Sequence, residues 1–439
     1  MILSCVLDAN NSYLQEIKES LAGRAEERRM RTLWVAVHRW LGLGTAAFLF
    51  IAGLTGAVIS WDHELDGALN PGLYEARTEG PAQPTLALAQ ALERARPELQ
   101  VTWAPLVLEP GEAVLFGVEA RPDPVTGKAR PLDYNQVAVD PATGEVQGQR
   151  FWGQPSLSRE NLLPFLYKLH YSLTLPFVNG VDIGVWLMGI VGIAWTIDCL
   201  VALWISFPKA TAWKKSFAFR WREGGYRLTF DLHRSGGVWL WGLLLVLAVT
   251  SVSMNLGPQV TRPVVGLFSQ LSPDPFSTRE ARAFDEPAVP AIPRARVVEI
   301  ARAEAQRRGW DAPPGGVFYS PMYDVYGVGF YEVGDDHGDG GLGNPWLYFD
   351  GATGAPAGAL TPGQGTAGDI FMQAQFPLHS GRILDVPGRV LVSLLGLAVA
   401  GLSATGVIIW ARKRRSRVRR RRTVPAPTAG VAMARESAG

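Results

Sequence analysis

A chain of 439 residues with 42 Lys and Arg against 40 Asp and Glu is nearly neutral, so the placement of its charges matters more than their sum. Its two cysteines, Cys5 and Cys199, exclude a disulfide framework and cysteine-held zinc or iron–sulfur centres. Long uncharged blocks alternate with Pro/Gly-rich polar regions, and the basic residues gather beside those blocks, which is an orientation signal and not a nucleic-acid footprint.

In chain order, residues 1–30 read as a charged, weakly amphipathic extension. Its apolar run is too short for a cleavable leader, and Met30 is a second candidate initiator. The first span falls within 31–62. Leu41 to Trp61 carries no charge and is long enough to cross roughly 30 Å of hydrocarbon. Arg24, Arg28, Arg29 and Arg31 precede it, which puts that side in the cytoplasm. A polar region, 63–165, reads as a helix over LALAQALERARPEL and strands near VTWAPLVL, AVLFGVEA and YNQVAVD. The second span, within 166–207, covers Ile183 to Phe207 and holds Asp198 in its middle. A basic cytoplasmic loop, 208–232, leads to the third span, 233–256, which is charge-free from Gly236. A second polar region, 257–375, precedes the fourth span, within 376–411, apolar from Val390 to Trp410. The tail, 412–439, opens on RKRRSRVRRRR, the strongest positive-inside signal, and beyond Thr423 its composition reads as disordered.

The pattern repeats. The first polar region carries VDPATGEVQG and the second YFDGATGAPAG. Asp140 stands 30 residues before His170, and Asp350 stands 29 before His379. HRWLGLG in the first span is echoed by HRSGGVW in the third. The expected fold is therefore a membrane α-helical bundle of four transmembrane helices, both termini inside, with two outer α+β domains, built as an internal tandem duplication.

Four of the six histidines occupy repeat-related positions: His38 and His233 at the cytoplasmic ends of spans one and three, and His170 and His379 just ahead of spans two and four. Ionisable groups in membrane helices are costly and tend to be functional. Haem b needs two axial imidazoles from facing helices, and a pseudo-twofold bundle brings equivalent histidines together. The expectation is two haems, His38 with His233 on an inner one and His170 with His379 on an outer one. Gly42 and Gly237, four residues after the inner histidines and on the same helix face, would let a flat ring approach. Arg39 and Arg234 could pair with haem propionates.

Other polar residues compete for roles. His63 lies 25 residues from His38, about 37 Å along a helix, so the two cannot share an iron; it is an alternative outer ligand. His337 sits in GDDHGDGG and reads as a residue of a solvated loop. Asp198, inside a span, is a candidate for proton uptake coupled to haem reduction, or else a carboxylate hydrogen-bonded to a neighbouring helix. Gly189, Gly192, Gly396 and Gly401 read as helix-packing positions. The basic tail is a topology determinant that could touch anionic lipid of the bilayer. No Walker loop or dinucleotide fingerprint is present, so electrons would come from a membrane quinol or a separate cytoplasmic reductase.

The segments VHRWLGLG, FIAGLTGAVISWDHELDGALNP, FLYKLHYSLTLP, DLHRSGGVWLWG and VDPATGEV resemble the PepSY-associated transmembrane family, over about residues 31–415. The resemblance implies a multi-pass protein of the bacterial inner membrane with PepSY-like periplasmic domains. It further implies b-type haems held by His38, His233, His170 and His379, and reduction of a ferric siderophore or another periplasmic metal chelate. Release of iron would follow because Fe(II) is held less tightly by hard oxygen ligands. Trp152, Tyr171 and Trp346 are candidate acceptor contacts. The rival reading is a non-redox membrane module, a transporter subunit or a protein-binding scaffold. A third keeps the haems and sends electrons to copper or a protein.

Overall fold

A computed structural model describes residues 2–207, 211 and 213–423; the tail read as disordered lies outside them. Four of its helices are long and apolar enough to cross a membrane: Ala25–Ile59, Ile183–Ser206, Gly225–Gly266 and Arg382–Arg419. Between 22% and 39% of their most apolar stretches is buried within the protein, so most of that surface faces outward, as lipid-facing helices require. The first belongs to a continuous helix, α1 (Ile2–Ile59), longer than its uncharged stretch. No proline interrupts residues 2–59.

The described residues fall into two compact units. One gathers residues from 1–50, 194–244 and 399–439; the other gathers 51–193 and 245–398, and each boundary falls inside a long helix.

The second unit holds an α+β layer. Its helix α2 (Thr85–Ala95) is followed by β1 (Leu99–Pro105), β2 (Val114–Ala120), β3 (Gln136–Val139) and β4 (Val146–Arg150). Next come α3 (Leu162–Ser172) and the second and third spans, α4 (Ile183–Ser206) and α5 (Gly225–Leu256). The order helix then four strands recurs in α6 (Arg294–Arg308), β5 (Pro314–Ser320), β6 (Val325–Phe330), β7 (Trp346–Asp350) and β8 (Pro356–Leu360). A short helix α7 (Gln375–Ser380) precedes the fourth span, α8 (Asp385–Thr423).

The two polar regions, expected as separate domains, share one antiparallel sheet of order β8-β7-β6-β5-β1-β2-β3-β4. The seam is β1 against β5, with Trp103 opposite Phe318 and Ala104 opposite Val317. One face carries the core. Val101, Val114, Phe116, Val118, Val317 and Val328 pack beneath Leu88 and Leu92 of α2 and Val297 and Ala301 of α6. The strand β4, VQGQR, escaped the sequence reading because an edge strand is polar and lacks a clear apolar alternation.

Matched turns close the outer hairpins. Asp140 accepts from the backbone N–H groups of Ala142 (2.9 Å), Thr143 (3.0 Å) and Thr78 (2.8 Å). Asp350 accepts from those of Ala352 (3.2 Å) and Thr353 (2.8 Å) and from the Thr353 hydroxyl (2.7 Å). Gly144 (φ 78°) and Gly354 (φ 71°) complete the turns in the left-handed region open to glycine.

Of the glycines read as packing positions, Gly189 faces Leu256, Gly192 faces Val252 and Gly396 faces the backbone of Gly53 and the side chain of Ala57. Gly401 faces open space, so its expected packing role is corrected.

Candidate cofactor site: two histidine pairs

The first unit brings His38 of α1 to His233 of α5, with ring centres 6.1 Å apart and planes inclined at 46°. The second unit brings His170 of α3 to His379 of α7, again at 6.1 Å, with planes at 60°. Neither α3 nor α7 continues straight into the following span. Leu173 (φ 52°) and Thr174 (φ 54°) end one, and Gly381 (φ 81°) ends the other. The chain then doubles back tightly. Gly184 at the start of α4 lies against the Ser172 carbonyl, and Gly388 of α8 lies against that of Gly381. A side chain at either glycine would lever a histidine helix away from its span.

The hydrogen bonds fix the form of each ring. His170 Nδ1 meets the Ala52 carbonyl at 2.9 Å, and His233 Nδ1 meets that of Leu402 at 3.0 Å. A carbonyl only accepts, so each Nδ1 carries the proton and donates. The hydroxyls of Thr55 and Thr405 stand beside the same two nitrogens, each at 3.2 Å. The Thr250 hydroxyl donates to the Val246 carbonyl at 2.8 Å, which leaves its oxygen to accept from His379 Nδ1 at 2.9 Å. His38 Nδ1 donates to Asp198 Oδ1 at 2.8 Å. Every ring thus has its Nδ1–H engaged by an acceptor on another helix. Among the described residues no hydrogen bond reaches any of the four Nε2 atoms.

An imidazole nitrogen sits roughly 2.0–2.1 Å from a first-row metal and about 1.1 Å from its own ring centre, so two trans imidazoles on one metal have centres about 6.3 Å apart. Both pairs match that span. Two rings are too few for a bare ion, and among the described residues no group of three or more His, Cys, Asp or Glu is placed to hold one. They are the right number for a metal whose other donors come from a macrocycle.

The first-unit pair lines a cavity of about 1100 Å³, just above the roughly 300–1,000 Å³ usual for bound small molecules. Its wall includes Arg39, Arg234, Gly42, Gly237, Trp241 and Leu402. The Nε atoms of Arg39 and Arg234 are buried without a hydrogen-bond partner, which a bound anion would supply. Both arginines line the cavity, and the Nη2 of Arg234 is already engaged by the Lys215 carbonyl and, at 3.4 Å, by Asp231.

Gly42 and Gly237 both line this cavity and neither touches a histidine ring. A Cβ on Gly42 would stand 3.7 Å from Asp198 Oδ2, and one on Gly237 would stand 4.0 Å from Leu402. The glycines that make room for imidazoles are Gly56, beside His170, and Gly406, beside His233. Each directly follows the threonine that touches the same ring. The signal lay in the Thr-Gly pairs of IAGLTG and LSATG.

His63 is brought to no second histidine; its ring stands edge-on to Tyr74 at 5.9 Å. His337 is part of a docked loop and not a freely solvated one. Its Nδ1 lies 2.6 Å from Asp336, Asp339 makes two contacts of 2.9 and 2.8 Å to Arg382, and Gly340 N–H donates to the Arg382 carbonyl. Burial would raise the carboxyl of Asp336, but the hydrogen bond and charge of His337 outweigh it and hold it low. Asp62 nearby is pushed up by burial despite His337 and Arg382. Trp152 and Tyr171 join through Tyr167, at ring separations of 5.5 and 6.2 Å, whereas Trp346 packs on Phe318 of the sheet.

A profile of the family described as the PepSY-associated TM region matches residues 35–413. No curated protein matches the chain.

Proposed function

The chain belongs to the PepSY-associated transmembrane family, and from that premise we propose that it is a membrane oxidoreductase with two b-type haems, carrying electrons from the cytoplasmic side to a ferric chelate of the siderophore class outside. The observation that carries this reading is the double one: two imidazole pairs at bis-ligand spacing, each ring with Nδ1 engaged and Nε2 unclaimed.

The residues present fit the group. His38 and His233 would hold one iron, with Arg39 and Arg234, whose Nε atoms are buried without a partner, available to the propionates, and His170 and His379 would hold the other. Bound haem supplies reversible one-electron chemistry. The chain's own part is to fix ring orientation through Asp198, Thr250 and the Ala52 and Leu402 carbonyls, and to wall the first pair with apolar side chains.

The basic residues at 24–31, 213–227 and 412–419 support a cytoplasmic location for both termini and the loop between spans two and three. The polar regions would then be periplasmic in a bacterial inner membrane. The recurrence of one helix and four strands, with an Asp-x-Ala-Thr-Gly turn in each set, supports a tandem duplication. The donor would be a quinol or a cytoplasmic reductase.

The test is the visible spectrum and haem content of the purified protein. Low-spin haem bands and a pyridine haemochrome ratio near two per chain support the reading; a colourless, folded protein overturns it. Anaerobic mixing of the reduced protein with ferric siderophores, ferric citrate and Cu(II) then ranks the acceptors, and oxidation by copper alone would remove the ferric assignment.

A further inference from the structure

Four imidazoles are held in two pairs, but their supports differ in charge. His170 and His233 donate to backbone carbonyls with a threonine hydroxyl alongside, and His379 donates to a threonine hydroxyl. Those acceptors are all neutral. His38 alone donates to a carboxylate, Asp198 Oδ1, at 2.8 Å. Asp198 is only 9% exposed and stands among the apolar side chains of α4, four residues before the Ala202 wall of the cavity. Among the described residues its single ion-pair partner is His38, so no arginine or lysine draws its charge away.

The contrast is sharpest against the other half of the chain. Asp198 follows His170 by 28 residues, and Thr405 follows His379 by 26. Each lies on the span after a second-unit histidine, and each supports a first-unit histidine. The supports of His38 and His233 therefore differ between the two halves by one negative charge at the same pair of rings.

We propose that Asp198 is a positioning residue that, through the Nδ1–H of His38, makes this imidazole the most electron-rich of the four and holds the first-unit haem at the lower reduction potential of the two. This rests on the two-haem reading and goes beyond it. A carboxylate behind a ligating imidazole raises the ligand's basicity, and a more basic ligand favours the oxidised, more positive iron. Burial strengthens the effect, because little solvent screens the charge. The half-reaction is the uptake of one electron by ferric iron from the quinol or reductase, with no bond made or broken. A lower potential at the ligand pair near the donor, and a higher one at the pair supported by neutral groups, favours net flow in one direction.

The test is spectroelectrochemical titration of the full-length protein in detergent, together with haem content and electron paramagnetic resonance of the oxidised form. Asp198→Asn keeps an oxygen that accepts from His38 but removes the charge. The expected result is two haems per chain, one potential shifted upward, the other where it was, and a changed low-spin signal for the shifted haem alone. That haem is identified as the one lost in His38→Ala. Thr405→Asp, which places a carboxylate beside His233 Nδ1, is expected to shift the same potential downward, and it carries the test if the asparagine variant sheds its haem. Unchanged potentials in either variant with two haems bound overturn the proposal. A wild-type protein that binds no haem overturns the two-haem reading instead.

Discussion

Gly56 leaves the space that the His170 ring occupies: a Cβ at position 56 would stand 2.9 Å from the ring's Cε1. Gly406 does the same for His233, at 3.1 Å. Adding a methyl group to a packed site forces side chains off their rotamers, at a cost of about 1–3 kcal/mol. Gly56→Leu is expected to lower the haem ratio from near two to near one, with loss confined to the second-unit pair. Gly406→Leu should remove the other, and the double variant both. Gly56→Ala should be more damaging than Gly406→Ala, following the tighter contact. Haemochrome assays on the variants give the ratios directly.

The acceptors behind the rings are unequally redundant. Thr250→Val removes the one hydrogen-bond partner that His379 Nδ1 has among the described residues, whereas Thr55→Val leaves His170 its bond to the Ala52 carbonyl. Loss of such a support typically costs roughly 10–100-fold in affinity for the group held by the ligand. Thr250→Val should therefore speed haem loss to an apoglobin acceptor by about that factor, and Thr55→Val by much less. Equal rates in the two variants would contradict the assignment.

Arg150 of β4 is 6% exposed and meets Asp66 at 2.6 Å, Gln136 at 2.7 Å and the Glu160 carbonyl at 2.9 Å, two residues before α3. Removing one partner leaves a buried charge unpaired, at about 3–5 kcal/mol. Arg150→Met is expected to destabilise the second unit by that order, and Asp66→Leu added to it should restore part of the loss. Chemical denaturation followed by tryptophan fluorescence measures both. Because Arg150 ties the sheet edge to the helix of His170, the single variant should also loosen haem at that pair.

Asp350 is held below the usual carboxylate range by Thr353 and Arg279. At Asp140 burial acts to raise the value, but N–H bonds from Thr143, Thr78 and Ala142 outweigh it, and the result is also low. A carboxylate lowered in the folded state contributes stability that is fully present above its unfolded value, about 3.9, and is lost as pH falls through the folded value. The sheet should hold its stability down to about pH 4 and lose it below. Asp350→Asn should flatten that part of the profile. A variant with the full acid dependence would show that the Asp350 turn contributes none of it.

The histidines were legible in the sequence because the repeat marks them twice, and their pairing followed from that symmetry. Gly56 and Gly406 were not, because spacing along a histidine's own helix leads only to Gly42 and Gly237. The glycines that touch the His170 and His233 rings belong to other helices. Asp198 was visible as a charge inside a span, but its link to His38 crosses 160 positions and has no local signature. The seam between β1 and β5 was hidden for the same reason: pairing of distant strands leaves no mark on either one. Three of the first four strands showed their alternation, and only the polar β4 did not. The loop 334–341 looked solvated by composition, yet Arg382 fastens it to the foot of the fourth span.

A sheet shared between both halves of the chain has a cost in biosynthesis. β4 ends at Arg150 and β5 begins at Pro314, 164 positions further on. At about 5–20 residues per second, a ribosome needs on the order of ten to thirty seconds to cover that interval. Throughout it, β1 is paired with β2 on one side but presents an open rim on the side that β5 will take, while two further spans are threaded into the bilayer. An open rim of that kind is a template for pairing with another chain, so nascent molecules at that stage could join one another along it until the second half arrives.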